Sequence, residues 1–230
     1  MFANLKITAY MGNHTAVSEY IRLDCVLSAA KAKELLKDEY YLNPKTAGEK
    51  NLVIKTLSEF LAFDAESSIF HASCGIGDGR EFATSFSKRW NAADDEKVNF
   101  IGKGKKIIDI SRGNFKSYHK ATITRAYKEI VFYARGDKEI IENLLNKYIH
   151  YLGKKGSQGF GTVIRWEVEE IENDFSLVCG GSAMRFLPVE HFANHITTNT
   201  EYIRKSSLIP PAWRDDCIEL CFMPMFKTGD

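Results

Sequence analysis

Cysteine is scarce in this chain: five residues, Cys25, Cys74, Cys179, Cys217 and Cys221, at irregular spacings. An odd count without a repeating interval does not suit a disulfide framework and suits the reduced thiols of a cytoplasmic protein. An excess of one charge is missing too, since 31 Lys and Arg face 30 Asp and Glu for a net charge of +1. A uniformly basic nucleic-acid binder is therefore excluded, and any such contact must come from a local patch or be shared with partner subunits. No apolar run reaches the length of a membrane span. The N-terminus carries no charged leader ahead of an apolar stretch, so no signal peptide is expected. With no low-complexity tract and 12% aromatic residues, wholesale disorder is not expected either.

Familiar nucleotide and metal motifs are also lacking. Gly75, Gly77 and Gly79 recur at alternate positions, which is not the spacing of a dinucleotide fingerprint, and no Gly-Lys is followed by Ser or Thr in the Walker frame. The Gly75–Gly79 stretch reads as a turn in a protruding or mobile loop. His71 with Cys74, and Cys217 with Cys221, are zinc-type ligands without a diagnostic spacing. Asp94-Asp95 and Asp215-Asp216 read as solvated loops. No metal, cofactor or catalytic residue is expected from these features.

What is present is a succession of periodic segments. Leu5, Ile7 and Ala9 alternate with polar residues up to the Gly12-Asn13 turn signal, which predicts a strand. Leu23, Val26, Leu27, Ala30 and Leu35-Leu36 follow at helical spacing from Asp24. Ala121 to Arg135 predicts two strands, and Ile140, Ile141, Leu144, Leu145, Tyr148, Ile149 and Leu152 form the clearest helical stripe. Thr162 to Ile171 alternates again as a strand. The order β, α, long insertion, β, β, α, glycine loop, β is that of a ferredoxin-like α+β fold. Its expected core spans 1–175 with an insertion at about 43–106, and 176–230 is expected to pack on it as a C-terminal extension.

Charge is concentrated in one window. Between Ile101 and Lys128, eight cations, Lys103, Lys105, Lys106, Arg112, Lys116, Lys120, Arg125 and Lys128, face the single anion Asp109, a local charge of +7. Phe115, Tyr118, His119 and Tyr127 are interleaved with them. Cations beside aromatic faces suit single-stranded RNA. The alternative is a solvated strand face with inward aromatics.

The second basic feature is Gly153-Lys154-Lys155-Gly156-Ser157-Gln158-Gly159-Phe160-Gly161, four glycines and two lysines in nine residues. Such a loop can turn sharply and expose N–H groups to a phosphate, or it can simply cap the preceding helix. It runs from helix into strand, the opposite polarity to a Rossmann or Walker loop, which disfavours a nucleotide cofactor.

These segments carry a resemblance. Gly113-Asn114-Phe115-Lys116-Ser117-Tyr118, the glycine loop continued through Thr162-Val163-Ile164-Arg165-Trp166, Asp174-Phe175-Ser176-Leu177 and Met184-Arg185-Phe186-Leu187-Pro188-Val189 resemble, in order, the RAMP superfamily of CRISPR proteins. The closer resemblance is to the type IV effector subunit of Cas-five-like kind. The Leu23-Asp24-Cys25-Val26-Leu27 helix start and Pro210-Pro211-Ala212-Trp213 echo it more weakly, and His119-Lys120-Ala121 departs from the family pattern, which often has a basic residue and a proline there. The resemblance implies a ferredoxin-like (RRM-like) RAMP fold and a noncatalytic subunit that binds guide RNA and caps its 5′ handle in a type IV CRISPR ribonucleoprotein. Its implied partners are the guide RNA, backbone and large subunits, and target DNA within the complex, with no membrane. The 43–106 insertion becomes a candidate thumb. The implied RNA-binding residues are Arg112, Phe115, Lys116, Tyr118, His119, Lys154, Lys155, Gly156, Ser157, Gln158 and Gly159. Some RAMP relatives cut RNA with a histidine, so the alternative is a metal-independent endoribonuclease that processes CRISPR RNA, with His14 as its best-placed base.

Overall fold

The computed structural model describes residues 2–16, 20–42, 50–91, 109–112 and 115–224. The protein is mixed α+β, and its strand pairs among these residues are antiparallel. In β1 (Ala3–Met11), Leu5, Ile7 and Ala9 are fully buried on one side, as the alternation predicts. The chain turns at Gly12-Asn13 into the two-residue β2 (His14–Thr15). Then α1 (Leu23–Leu36) buries Leu23, Leu27 and Ala30. The next stretch, which leads into the expected insertion, folds as α2 (Glu39–Leu42), α3 (Lys50–Ser58), β3 (Phe63–Asp64) and β4 (Ile69–Phe70). Leu57, Phe60, Leu61, Ile69 and Phe70 are buried in the main core, so this part of the sequence is integral to it.

Two ten-residue strands follow, β5 (Gly79–Lys88) and β6 (Tyr118–Tyr127), which pair from Gly79 opposite Tyr127 to Lys88 opposite Tyr118. Only Lys128 separates β6 from β7 (Glu129–Gly136). The helix α4 (Lys138–Tyr148) starts where the Asp137 carboxylate accepts from the Ile140 amide at 3.0 Å, and it buries Ile141, Leu144 and Leu145. After the glycine loop comes β8 (Val163–Ile171). The last quarter of the chain, for which no element pattern is evident in the sequence, holds β9 (Val178–Cys179), β10 (Ser182–Ala183), β11 (Leu187–Pro188), α5 (Val189–Phe192), β12 (Ile203–Ser207) and β13 (Ile218–Phe222).

The central sheet has the order β7-β1-β8, and α4 packs on both α1 and β8. Residues 71–76 run along the outer edge of β7: Ser73 N donates to Tyr133 O, Arg135 N to His71 O, and Ile76 and Val131 exchange both bonds. This overturns the turn expected at Gly75–Gly79. Alternate glycines follow the two-residue period of a strand, and they lie against aromatic rings: a Cβ on Gly75 would stand 2.8 Å from Phe132, and one on Gly77 2.8 Å from Tyr127. A smaller sheet, β2-β6-β5, carries the long ribbon.

A buried ionic cluster ties the C-terminal region to this core. The Asp24 carboxylate, at the start of α1, accepts from Arg22 at 2.8 Å and from Arg185 at 3.0 Å. Both guanidiniums also donate to Leu208 O. Burial works to raise the Asp24 carboxyl, but the two arginines outweigh it and bring it down to about 2. Arg185, in the Met184–Val189 motif, is therefore a core residue.

Candidate nucleic-acid interface

Beyond α4 the chain closes on itself: Tyr151 bridges Thr162, and Leu152 N donates to Gly161 O at 2.8 Å. Between these points lies one 3-10 turn, Gly156–Gln158, flanked by Lys155 at φ 62° and Gly159 at φ 85°. Gly161, at φ 69°, has no room for a side chain, because a Cβ would stand 1.9 Å from Leu152 O. The loop is also tied to β2 and the residue after it, through Gly161 N to His14 O (2.8 Å) and Lys154 N to Ala16 O (2.7 Å). Asn13 clamps its far limb: the side-chain oxygen accepts from Thr162 N at 2.9 Å while the amide nitrogen donates to Gly159 O and Thr162 Oγ1.

This geometry narrows the expected row of phosphate-facing amides. Those of Gln158, Gly159, Phe160 and Gly161 already donate to backbone carbonyls. Of the amides from Gly156 to Gly161, those of Gly156 and Ser157 have no partner among the described residues. Lys154, Ser157, Gln158 and Gly159 are exposed, and Lys155 and Gly156 are half-buried.

The loop faces the ribbon. Lys155 Nζ lies 3.6 Å from the centroid of the Phe86 ring, and the exposed His14 ring stacks on Phe82 at 4.6 Å. Strand alternation puts Phe82, Thr84 and Phe86 on this face together with their cross-strand partners, so Lys120, opposite Phe86, and Tyr118, opposite Lys88, share it. His119 falls on the other face, where its Nδ1 lies 2.6 Å from Ser87 Oγ. Phe115 packs edge-on against Trp90, with centroids 5.0 Å apart, and remains 42% exposed, like Tyr118 at 44%. Lys116 is exposed, and so is Arg112, whose Nε donates to Asp109 at 2.6 Å. Lys103, Lys105, Lys106, Gly113 and Asn114 lie outside the described residues, as does Asp94-Asp95.

On the other flank of the loop a cleft of about 360 Å³ opens between α1 and Leu152–Lys154. Tyr20, Tyr40, Tyr151 and Lys33 wall it, and among the described residues no carboxylate lines it. Lys33 donates to Tyr148 O at 3.0 Å, and burial lowers its pKa. Asn13, Phe82, Phe86 and this tyrosine-lined cleft are absent from the expectations drawn from sequence. Asn13 registers there only as a turn former, and Phe82 and Phe86 stand in a polar stretch without a clear period.

Other chemistry-bearing residues have structural partners. Asp174 Oδ2 and Ser176 Oγ approach the same His71 nitrogen, Nδ1, at 3.2 and 3.3 Å, and Ser176 is fully buried. A relay would need the two rings nitrogens to serve different partners, so this is a clasp on the turn before Leu177. Burial opposes ionisation of Asp174, but hydrogen bonds from His71 and Ser176 hold its carboxyl down to about 2. Cys74 is buried, and burial pushes its thiol up to about 12, which makes it a poor metal ligand at neutral pH. Among the described residues no three His, Cys, Asp or Glu side chains converge as a metal site, and no helix is long and apolar enough to cross a membrane.

No curated protein matches the chain. The family model described as CRISPR type IV associated protein Csf3 matches residues 63–224, well over half of the sequence. That span includes the ribbon, the glycine loop and the C-terminal strands. With the ordered motifs, the glycine loop and its ribbon all inside the matched region, the chain belongs to the type IV CRISPR family Csf3, a Cas5-like subunit.

Proposed function

We propose that this protein is the noncatalytic guide-RNA-binding subunit that caps the 5′ handle of the CRISPR RNA in a cytoplasmic type IV effector ribonucleoprotein, assembled with backbone and large subunits for interference against viruses or plasmids. One observation carries the reading beyond family membership: Lys155 of the glycine loop lies on Phe86 of the ribbon, 3.6 Å from the ring centroid. An RNA strand entering this junction meets Lys154, Lys155 and the Gly156 and Ser157 amides on one side, and Tyr118, Lys120 and Lys116 on the other. Phosphates suit the first group and unpaired bases the second.

The strand order supports a ferredoxin-like RAMP fold. β8, β1 and β7 lie side by side, and residues 71–76 occupy the outer edge of β7 where the second strand of such a fold would stand. In this reading the thumb is the β5–β6 ribbon with the residues between its strands, and residues 50–76 belong to the core.

The test is RNA binding by the Lys154→Ala, Lys155→Ala double variant as salt is varied. Loss of two phosphate contacts weakens binding to every single-stranded sequence and flattens the salt dependence by about 0.7 per contact. Unchanged affinity and slope would count against the reading. Incubation with labelled repeat RNA addresses the endoribonuclease alternative, which the exposed His14 ring beside the loop favours. A shift without cleavage supports the capping role, and cleavage abolished by His14→Ala supports the nuclease.

A further inference from the structure

The C-terminal sheet has the order β11-β13-β12, and one of its faces changes character along its length. Register and strand alternation put Leu187, Phe222 and Ile203 on that face, then Leu220 with Lys205, then Ile218 with Ser207. Leu187 and Phe222 are buried, whereas Ile203, Leu220 and Ile218 are exposed at 40%, 51% and 47%. The apolar surface therefore runs on past the point where the chain covers it. Trp213, in the turn before β13, is 67% exposed and walls a cleft with Lys205 and Ile218. Lys205 is the charged residue of this face, and its ammonium has no partner among the described residues. The edge of β12 is open as well. Met223 N donates to Tyr202 O and Leu208 N to Cys217 O, so the even-numbered residues of β12 bond β13, and the backbone groups of Ile203 and Lys205 point outward. Among the described residues no backbone group takes them up.

Resting on the reading of this chain as one subunit of a type IV effector, we propose that this face docks another protein subunit of the complex, which lays apolar side chains on Ile203, Ile218, Leu220 and Trp213 and sets a carboxylate against Lys205. A contiguous patch of exposed aliphatic side chains marks a protein contact, and Ile and Leu give an RNA base no plane to stack on. Charge points the same way. Between Glu201 and Leu220 the four carboxylates Glu201, Asp215, Asp216 and Glu219 outnumber the cations Arg204, Lys205 and Arg214, so a polyanion is not drawn here. A second copy of the chain fits poorly, because the same face on both sides would bury two Lys205 ammoniums without a counter-ion. A carboxylate within an apolar partner surface removes that penalty, and the open β12 edge supplies the backbone hydrogen bonds that such an interface uses.

The experiment mixes the tagged full chain with guide RNA and the purified backbone and large subunits of its complex, and measures the retention of each. Leu220→Asp is expected to weaken retention of one subunit roughly tenfold and to leave RNA affinity unchanged. A carbodiimide should couple Lys205 to an Asp or Glu of that same subunit, and Lys205→Arg should lose the coupling while keeping the retention. The exposed position of Leu220 predicts an unchanged melting temperature, which separates a lost contact from lost folding. Where the unmodified chain retains the subunits and Leu220→Asp retains them equally, the docking surface is overturned and the subunit reading stands. If the unmodified chain retains neither subunit, the subunit reading fails and the surface falls with it. RNA affinity lost by Leu220→Asp with both subunits retained would make the face a nucleic-acid surface. A dimer of the free chain that Leu220→Asp dissolves would make it a contact between copies, and either result overturns the proposal.

Discussion

The glycine loop and the β5–β6 ribbon face each other, yet they are held in different ways. The loop is fixed by its backbone: the amides of Lys154 and of Gln158 to Gly161, five in all, together with the Asn13 clamp leave it little freedom. The ribbon pairs on one side with two residues of β2, and on its loop side it rests on ring contacts at Phe82 and Phe86. A two-stranded ribbon alone is marginal in water, so these contacts matter to its order. One wall of the candidate interface is thus preorganised, and the other depends on side chains that an incoming strand could displace.

The most severe way to break this contrast is Gly161→Ala. A methyl group facing Leu152 O in left-handed backbone should cost about 3 kcal/mol in urea unfolding, whereas Gly159→Ala, with nothing within 4 Å, should cost about 1 kcal/mol. Equal losses would mean that the loop is not backbone-fixed.

Acid separates the regions next. The Asp24 carboxyl is held at about 2 in the folded chain against 3.8 ordinarily, so its stabilisation is complete above pH 4 and disappears as pH falls from about 4 to 2. The core should lose about 2 kcal/mol over that window. Asp174 titrates in the same direction. The ribbon's exposed Arg125–Glu81 pair should add little. Asn13→Ala comes third, at about 1–2 kcal/mol, with faster hydrogen exchange at the Thr162 amide. Phe86→Ala is the mildest: about 1 kcal/mol at most, with exchange accelerated in β5 and unchanged in the loop. If the loop amides also accelerated, the two walls would be coupled.

The parts legible in the sequence are those where one face is buried. β1, α1, α4 and β8 follow from Leu5-Ile7-Ala9, Leu23-Leu27-Ala30, Ile141-Leu144-Leu145 and Trp166-Val168, because burial imposes a period on them; at the start of β8 a register shift against β1 breaks that period, burying Val163 and exposing Ile164. The β5 half of the ribbon escapes that logic. Neither of its faces is consistently apolar, so β5 shows Thr84, Ser85 and Ser87 where a core strand would show valines. Within the described part of the +7 window the aromatic residues divide, since Tyr118 and His119 are neighbours in sequence and point to opposite faces of β6. Asn13 is legible as a turn former, but its bonds span about 150 positions and leave no local signal.

The single residue between β6 and β7 has a mechanical consequence. Ten paired residues at about 3.4 Å each make an arm on the order of 30 Å long. That arm continues through a bend at Lys128, whose carbonyl is held by Met11 N at 3.0 Å, into the central sheet. Deflection where Trp90 meets Phe115 must then be absorbed either as twist along the arm or as tilt of β7 against β1. The ribbon is in this sense a lever whose fulcrum is Lys128, with the core sheet as its short end.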